Sequence, residues 1–217
     1  MSRELLARGL AELGLSLSEE SADRLIAYRD ELARWGRVHN LSSVLDPDRM
    51  VPVHLLDSLA LAPLVRGRTL ADVGSGGGLP GVPLAIADPG LAVTLIEPRA
   101  KRALFLQHVT RTLGLANVIV ERSRVEDVAA GAAFDTVATR AFGSLARFVA
   151  AAGPILRPGG RLLAAKGRDP AAEIGELPEG WRAEVLPLVV PGIGAARHAV
   201  QLERVPVPGR DRAGVVA

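Results

Sequence analysis

Between Asp72 and Gly81 the chain runs Asp72-Val73-Gly74-Ser75-Gly76-Gly77-Gly78-Leu79-Pro80-Gly81, with five glycines in the eight residues from Gly74 onward. No helix or strand interior carries that density without cost, since each glycine there loses about 0.5–1 kcal/mol relative to alanine. The apolar run 69–73 comes immediately before, and a helical pattern at 82–87 follows. The glycines therefore form a strand-to-helix turn. Such a turn at the carboxyl end of the first strand of an α/β sheet lets a ligand approach the backbone, which side chains would otherwise block. A nucleotide-containing cofactor is expected there, in preference to a flexible surface turn.

The rest of the chain supplies the sheet. Short apolar runs recur at 92–96, 118–120, 136–138 and 161–165, with helical patterns at 101–113 and 145–156 between them. Strands alternating with helices define a doubly wound, mostly parallel α/β sheet of Rossmann-like type. Two extended stretches, 181–190 and 197–205, follow with no room for a crossover helix, so they are expected to pair antiparallel. Ahead of the glycine turn, Ala22, Leu25, Ile26, Leu32 and Ala33 give 18–40 one apolar helical face, with Ser18 as N-cap. A further helix is expected from about Val51 to about Ala62, with Pro52 in its first turn and Leu55, Leu56 and Leu59 buried. The 217 residues thus divide into a helical extension at 1–65, a core at 66–205 and a flexible tail at 206–217.

Composition then removes several chemistries. The sequence has no cysteine, which excludes disulfides, thiolate metal clusters and a cysteine nucleophile. Charges in the first twenty residues break any signal-peptide core, and no run of about 18 apolar residues occurs, so a cytoplasmic protein is expected. The 24 Arg and 2 Lys face 24 carboxylates. The pI near 9.6 therefore does not mark a strongly basic protein. Residues 141–217 alone lean basic, with ten cations against seven anions. Contact with nucleic acid would depend on where individual arginines sit.

Spacing within the glycine turn selects the cofactor. The dinucleotide pattern G-x-G-x-x-G puts Leu79 at its third glycine and fails. Gly74, Gly76 and Gly78 fit G-x-G-x-G after Asp72, which resembles the loop of Rossmann-like S-adenosylmethionine-dependent methyltransferases. Pro80 and Pro83 lack the N–H groups a pyrophosphate site needs. Glu97 ends the second strand 23 residues after Gly74, close to the roughly 20 expected of a ribose-binding carboxylate. It either holds the ribose or caps the next helix, and the two roles coexist. The third strand ends at Ser123-Arg124-Val125-Glu126-Asp127, where a Glu126 amide and the Val125 side chain are placed to hold an adenine.

The acceptor is expected after the fourth strand, at Thr139-Arg140-Ala141-Phe142. The Asn/Asp-Pro-Pro-Tyr loop that orients exocyclic amines is absent, and the lack of cysteine excludes covalent attack on a pyrimidine ring. A ring nitrogen such as guanine N7, which exposes a lone pair and carries no proton, remains and needs alignment more than a base. Arg140 and Arg124 are the candidate catalytic residues, Arg140 either binding guanine O6 or a phosphate or forming a surface salt bridge. Arg99, Lys101 and Arg102 crowd a helix start, where the dipole opposes cations by about 0.3–1 kcal/mol each. They and Lys166, at the end of the fifth strand, are phosphate-contact candidates, with solvated helix charges or a plain strand-end charge as the alternative.

Read together, these residues closely resemble the bacterial small-subunit ribosomal RNA guanine-N7 methyltransferase family, RsmG or glucose-inhibited division protein B. The likeness runs through Trp35, Asn40-Leu41-Ser42-Ser43, His54-Leu55-Leu56-Asp57-Ser58 and the glycine loop with its Leu79-Pro80-Gly81 ending. It continues through Lys101-Arg102, Ser123-Arg124-Val125-Glu126, Arg140-Ala141-Phe142, Lys166-Gly167 and Arg197-His198. It implies methyl transfer from S-adenosylmethionine to N7 of a guanine near the decoding centre of small-subunit ribosomal RNA. It also implies cofactor contacts at Gly74, Leu79, Val125, Glu126 and Arg140, beside Gly76 and Glu97 from the loop spacing. RNA-facing roles fall on Arg197 and His198; nothing in the sequence demands more than a monomer, which is the expected state. His54 and Asp57 share a helix face and are left between packing and catalysis. Two other possibilities stay open: methylation of a small molecule or protein, and a nucleotide-binding module without chemistry.

Overall fold

A computed structural model describes residues 1–39, 41–128, 133–167 and 169–206. Asn40 and most of the tail expected at 206–217 lie outside them. The chain begins with helices α1 (Ser2–Glu12), α2 (Glu19–His39), α3 (Pro47–Met50) and α4 (Asp57–Leu59). Strands and helices then alternate as β1 (Thr69–Val73), α5 (Gly81–Ala87), β2 (Ala92–Ile96), α6 (Ala100–Thr112), β3 (Val118–Glu121), β4 (Phe134–Thr139) and α7 (Leu145–Ala152). The chain continues through β5 (Leu156–Lys166), α8 (Ala171–Ile174), β6 (Trp181–Leu188) and β7 (Arg197–Arg204). One sheet contains the seven strands of the described residues in the order β3-β2-β1-β4-β5-β7-β6. The first five pair in parallel, while β7 runs antiparallel to both β5 and β6.

Strand alternation divides the interior into two layers. Leu70, Val93 and Leu95 point to a core shared with Leu6, Leu25, Tyr28, Leu55, Leu59 and Phe105, so the N-terminal helices pack in the same layer as α5 and α6. Ala71, Val73, Ile96 and Val137 point the other way, onto Leu145, Phe148 and Val149 of α7. Strand order reverses between β1 and β4, which opens a crevice at their carboxyl ends.

Several expected boundaries are corrected. Helix α1 adds a further helix to the extension expected at 1–65; it buries Leu6, Gly9 and Leu10, and a Cβ on Gly9 would collide with the Leu56 side chain. The helix expected from Val51 starts instead at Pro47, where the Asp46 side chain accepts from the Arg49 amide at 2.9 Å. Asp46-Pro47 is an N-cap followed by an N1 proline. Pro52 thereby falls inside a helical run, and residues Val51–Leu56 widen into a π-helix before α4, as happens where the i−4 ladder is interrupted. Gly153-Pro154 ends α7 early in a 3₁₀ turn, which lets β5 begin at Leu156.

Candidate functional site

The loop after β1 is held from several sides. Gly74 N and Ser75 N donate to Ile96 O, Ser75 Oγ donates to Asp72 O at 2.8 Å, and Thr139 Oγ1 donates to Val73 O at 2.9 Å. From α2, the buried Tyr28 hydroxyl donates to Gly77 O at 2.6 Å, so the N-terminal helices brace the loop directly. Gly78 has φ +92°, and a Cβ there would meet Val82 Cγ2 at 2.7 Å. Gly74 has φ +70°, but it is exposed and a Cβ would find only Phe142 Cδ2, at 3.8 Å. Packing requires glycine at Gly78, whereas at Gly74 space stays open against the backbone.

Asp72 is fully buried beneath this loop. Its Oδ2 accepts from Gly81 N at 2.9 Å, and Oδ1 has no hydrogen-bond partner among the described residues. Burial pushes its carboxyl up to about 7 from 3.8, opposed by the Gly81 hydrogen bond and the charge of Arg140. The unfolded chain therefore ionises first, so this group's stabilisation is complete below about pH 4 and is lost as pH rises toward 7. Asp72→Asn removes that slope: in denaturant titrations wild type is expected to lose stability relative to the variant by up to about 1.4 kcal/mol per pH unit across that window. Parallel curves for the two proteins would contradict a buried, neutral Asp72.

Beside the loop lies a cleft of about 580 Å³, within the range of small-molecule sites. Gly74, Glu97, Val125 and Glu126 line it, together with Arg99, Arg102 and Arg124. Glu97 is 2% exposed; Oε2 accepts from Gly76 N and Oε1 from Arg99 N, each at 2.9 Å. Neither contact is a hydrogen bond within α6, whose N-cap is Arg99. Each oxygen keeps a further lone pair. The structure thus brings four residues of the expected cofactor set into one cleft with Arg124 and two arginines expected to face RNA.

Other expected residues lie elsewhere. Gly76 takes part through its amide to Glu97, Leu79 packs against the core of the helical layer, and Lys101 is exposed on α6 away from the cleft lining. Arg140 lines a smaller neighbouring cavity of about 70 Å³. Lys166 lines it too, with Nζ donating to both Glu173 oxygens at 2.8 and 3.0 Å and to Gly143 O at 2.7 Å. An ammonium has three donors, so an RNA phosphate would have to displace one of these partners.

Asp57, 6% exposed, connects three segments. Its Oδ1 accepts from Arg197 Nε at 3.0 Å, and its Oδ2 lies 3.5 Å from Arg140 NH1. His198, next to Arg197, pairs with Lys166 across β5 and β7. His54 is buried; because Ser42 Oγ donates to Val44 O, His54 Nε2 donates to Ser42 Oγ at 2.7 Å. Burial and the charge of Arg140 lower the imidazole pKa, so a neutral ring joins the helices to the 42–44 turn. Phe142 and Arg147 also line the cleft although sequence spacing did not single them out. Phe142 stands two residues after Arg140 in the segment following β4, and Arg147 reaches the cleft only because Ser144 starts α7 there.

Comparison with solved structures gives the class. The chain superposes on an S-adenosylmethionine-dependent methyltransferase from Aquifex aeolicus with TM-score 0.57 and 21% identity, over 74% of this chain and 94% of that one. TrmN from Thermus thermophilus aligns with TM-score 0.54 and 22% identity, over 71% of this chain and 49% of that one. At these identities the likeness establishes a Rossmann-like methyltransferase fold. Curated relatives are far closer in sequence: "Ribosomal RNA small subunit methyltransferase G" of Aromatoleum aromaticum is 53% identical over 94% of this chain and all of the relative. The protein of that name from Nitrosospira multiformis is 46% identical over 92% and 96%. The family model for GidB, rRNA small subunit methyltransferase G, matches residues 21–200, and the chain belongs to that family.

Proposed function

We propose that this protein transfers a methyl group from S-adenosylmethionine to N7 of a guanine in small-subunit ribosomal RNA near the decoding centre, acting as a cytoplasmic monomer. The observation that carries the proposal is the cleft where Gly74, Glu97, Val125 and Glu126 converge in a chain so similar to the named methyltransferases. Gly74 leaves room for a ligand against its backbone. Glu97, already positioned by two amides, has lone pairs left for the two ribose hydroxyls. Val125 offers an apolar contact and Glu126 an amide for the base. When bound, S-adenosylmethionine supplies an electrophilic methyl group whose positive charge passes to the acceptor.

Guanine N7 presents its lone pair without losing a proton, so the residues around it have to align and hold the acceptor. Arg124 and Arg140 are the proposed contacts to guanine or its phosphate, with Arg140 held by Asp57. Arg99, Lys101, Arg102, Arg197 and His198 supply the wider phosphate surface. Among the described residues no helix is long and apolar enough to cross a membrane. Incubation of the purified protein with labelled S-adenosylmethionine and small ribosomal subunits is expected to place label in ribosomal RNA as 7-methylguanine. Incorporation into no RNA substrate would overturn the proposal. Label in a small molecule or protein, with binding insensitive to salt, would support the second possibility instead.

A further inference from the structure

Phe142 lines both the large cleft and the small cavity beside it, so its ring stands at their boundary. Among the described residues it is the one aromatic side chain lining the large cleft. Its Cδ2 is 3.8 Å from the position of a Cβ on Gly74, where space stays open against the backbone. The ring is braced from α7 by the buried Phe148, with centroids 5.7 Å apart and planes tilted by 55°. Phe142 itself is only half-buried, and the exposed Arg147 holds its guanidinium carbon 5.7 Å from the ring centroid. A braced, accessible aromatic surface between a cofactor cleft and its neighbouring cavity suits a planar ligand.

We propose that Phe142 is the platform for the acceptor base, with the target guanine lying unstacked from its RNA neighbours on the Phe142 ring and Arg147 taking the adjoining phosphate. This inference rests on the function proposed above. Enzymes that act on one base of a nucleic acid must take it out of the stack, and an aromatic side chain replaces part of the lost stacking. Methylation at N7 also turns a neutral purine into a cation. Because the face of an aromatic ring is electronegative, its attraction for the base grows as charge develops, which favours the transition state over the ground state. An aliphatic side chain of the same bulk would fill the space without that attraction. Arg147 extends from the first turn of α7 and is free to leave the ring for a phosphate.

The test is steady-state methyl transfer to small ribosomal subunits, with cofactor affinity measured separately by calorimetry. Phe142→Leu is expected to lower kcat/KM for the subunit by about 5- to 150-fold, while Phe142→Tyr stays within about threefold of wild type. Cofactor Kd stays within about twofold in both. Arg147→Gln is expected to reduce the salt slope of subunit binding by about one. Full activity of Phe142→Leu, or a cofactor affinity that falls in parallel with kcat/KM, would overturn the platform role; an unchanged salt slope would overturn that of Arg147. Wild-type incorporation in the same assay keeps the two levels apart, since its absence defeats the proposed function itself.

Discussion

Glu97→Ala is expected to weaken S-adenosylmethionine binding by about two orders of magnitude or more in titration calorimetry. Hydrogen bonds to a charged group contribute about 1.5–3 kcal/mol each, and the proposed site uses two, one to each ribose hydroxyl. The substitution also strips the partner from Gly76 N and Arg99 N, so the loop loses the brace that fixes its outward face. Glu97→Asp keeps the charge on a shorter arm and should fall between the two. An affinity for Glu97→Ala within threefold of wild type would remove Glu97 from the cofactor site, whatever its effect on stability.

Asp57→Ala should cost about 3 kcal/mol of folding stability, the lower end for breaking a buried ion pair. The lower end applies because Arg140 and Arg197 are each 25% exposed and water recovers part of the loss. For a chain of this size that is a fall in Tm of about 6–12 °C. The change would leave two guanidinium groups without their shared carboxylate, one on the strand end beside the cleft and one on β7. The double variant Asp57→Ala/Arg197→Ala should recover part of the loss, since one stranded cation is gone with the carboxylate. A Tm within 2 °C of wild type for Asp57→Ala would show that this carboxylate does not tie the helical layer to the sheet.

The fold is legible where a local pattern has a single physical solution. Five glycines after an apolar run leave no choice but a turn at a strand end, and β1, β2 and α5 fall within a residue of their expected bounds. Two extended stretches without a crossover helix can only pair antiparallel, as β6 and β7 do. Boundaries are lost where tertiary packing decides. Helix α1 packs against Leu56 because Gly9 carries no side chain there, a contact between distant segments that no local spacing encodes. The N-cap at Asp46 is encoded locally, but the buried pattern beginning at Val51 and the proline at 52 obscure it.

At the site, Gly74, Glu97, Val125 and Glu126 meet in one cleft because the parallel sheet sets the ends of β1, β2 and β3 side by side, and each residue sits at or just past such an end. Those ends are legible in the sequence; partners brought together from distant segments are not. The meeting of Asp57 with Arg140 and Arg197 spans 140 residues between its outer members, and only the folded sheet puts β7 beside the helical layer. The same holds for Lys166, whose short strand-end position gives no hint that Glu173 folds back to neutralise it. Tyr28 reaches Gly77 across 49 residues, so a buried side chain of α2 also shapes the glycine loop.

The most direct test of the central claim is mass-spectrometric mapping of 7-methylguanine in small-subunit ribosomal RNA from cells with and without this gene. One guanine near the decoding centre should carry the methyl group in the first and lack it in the second, with the mark restored by the wild-type gene and not by Glu97→Ala. An identical 7-methylguanine pattern in both strains would contradict the account.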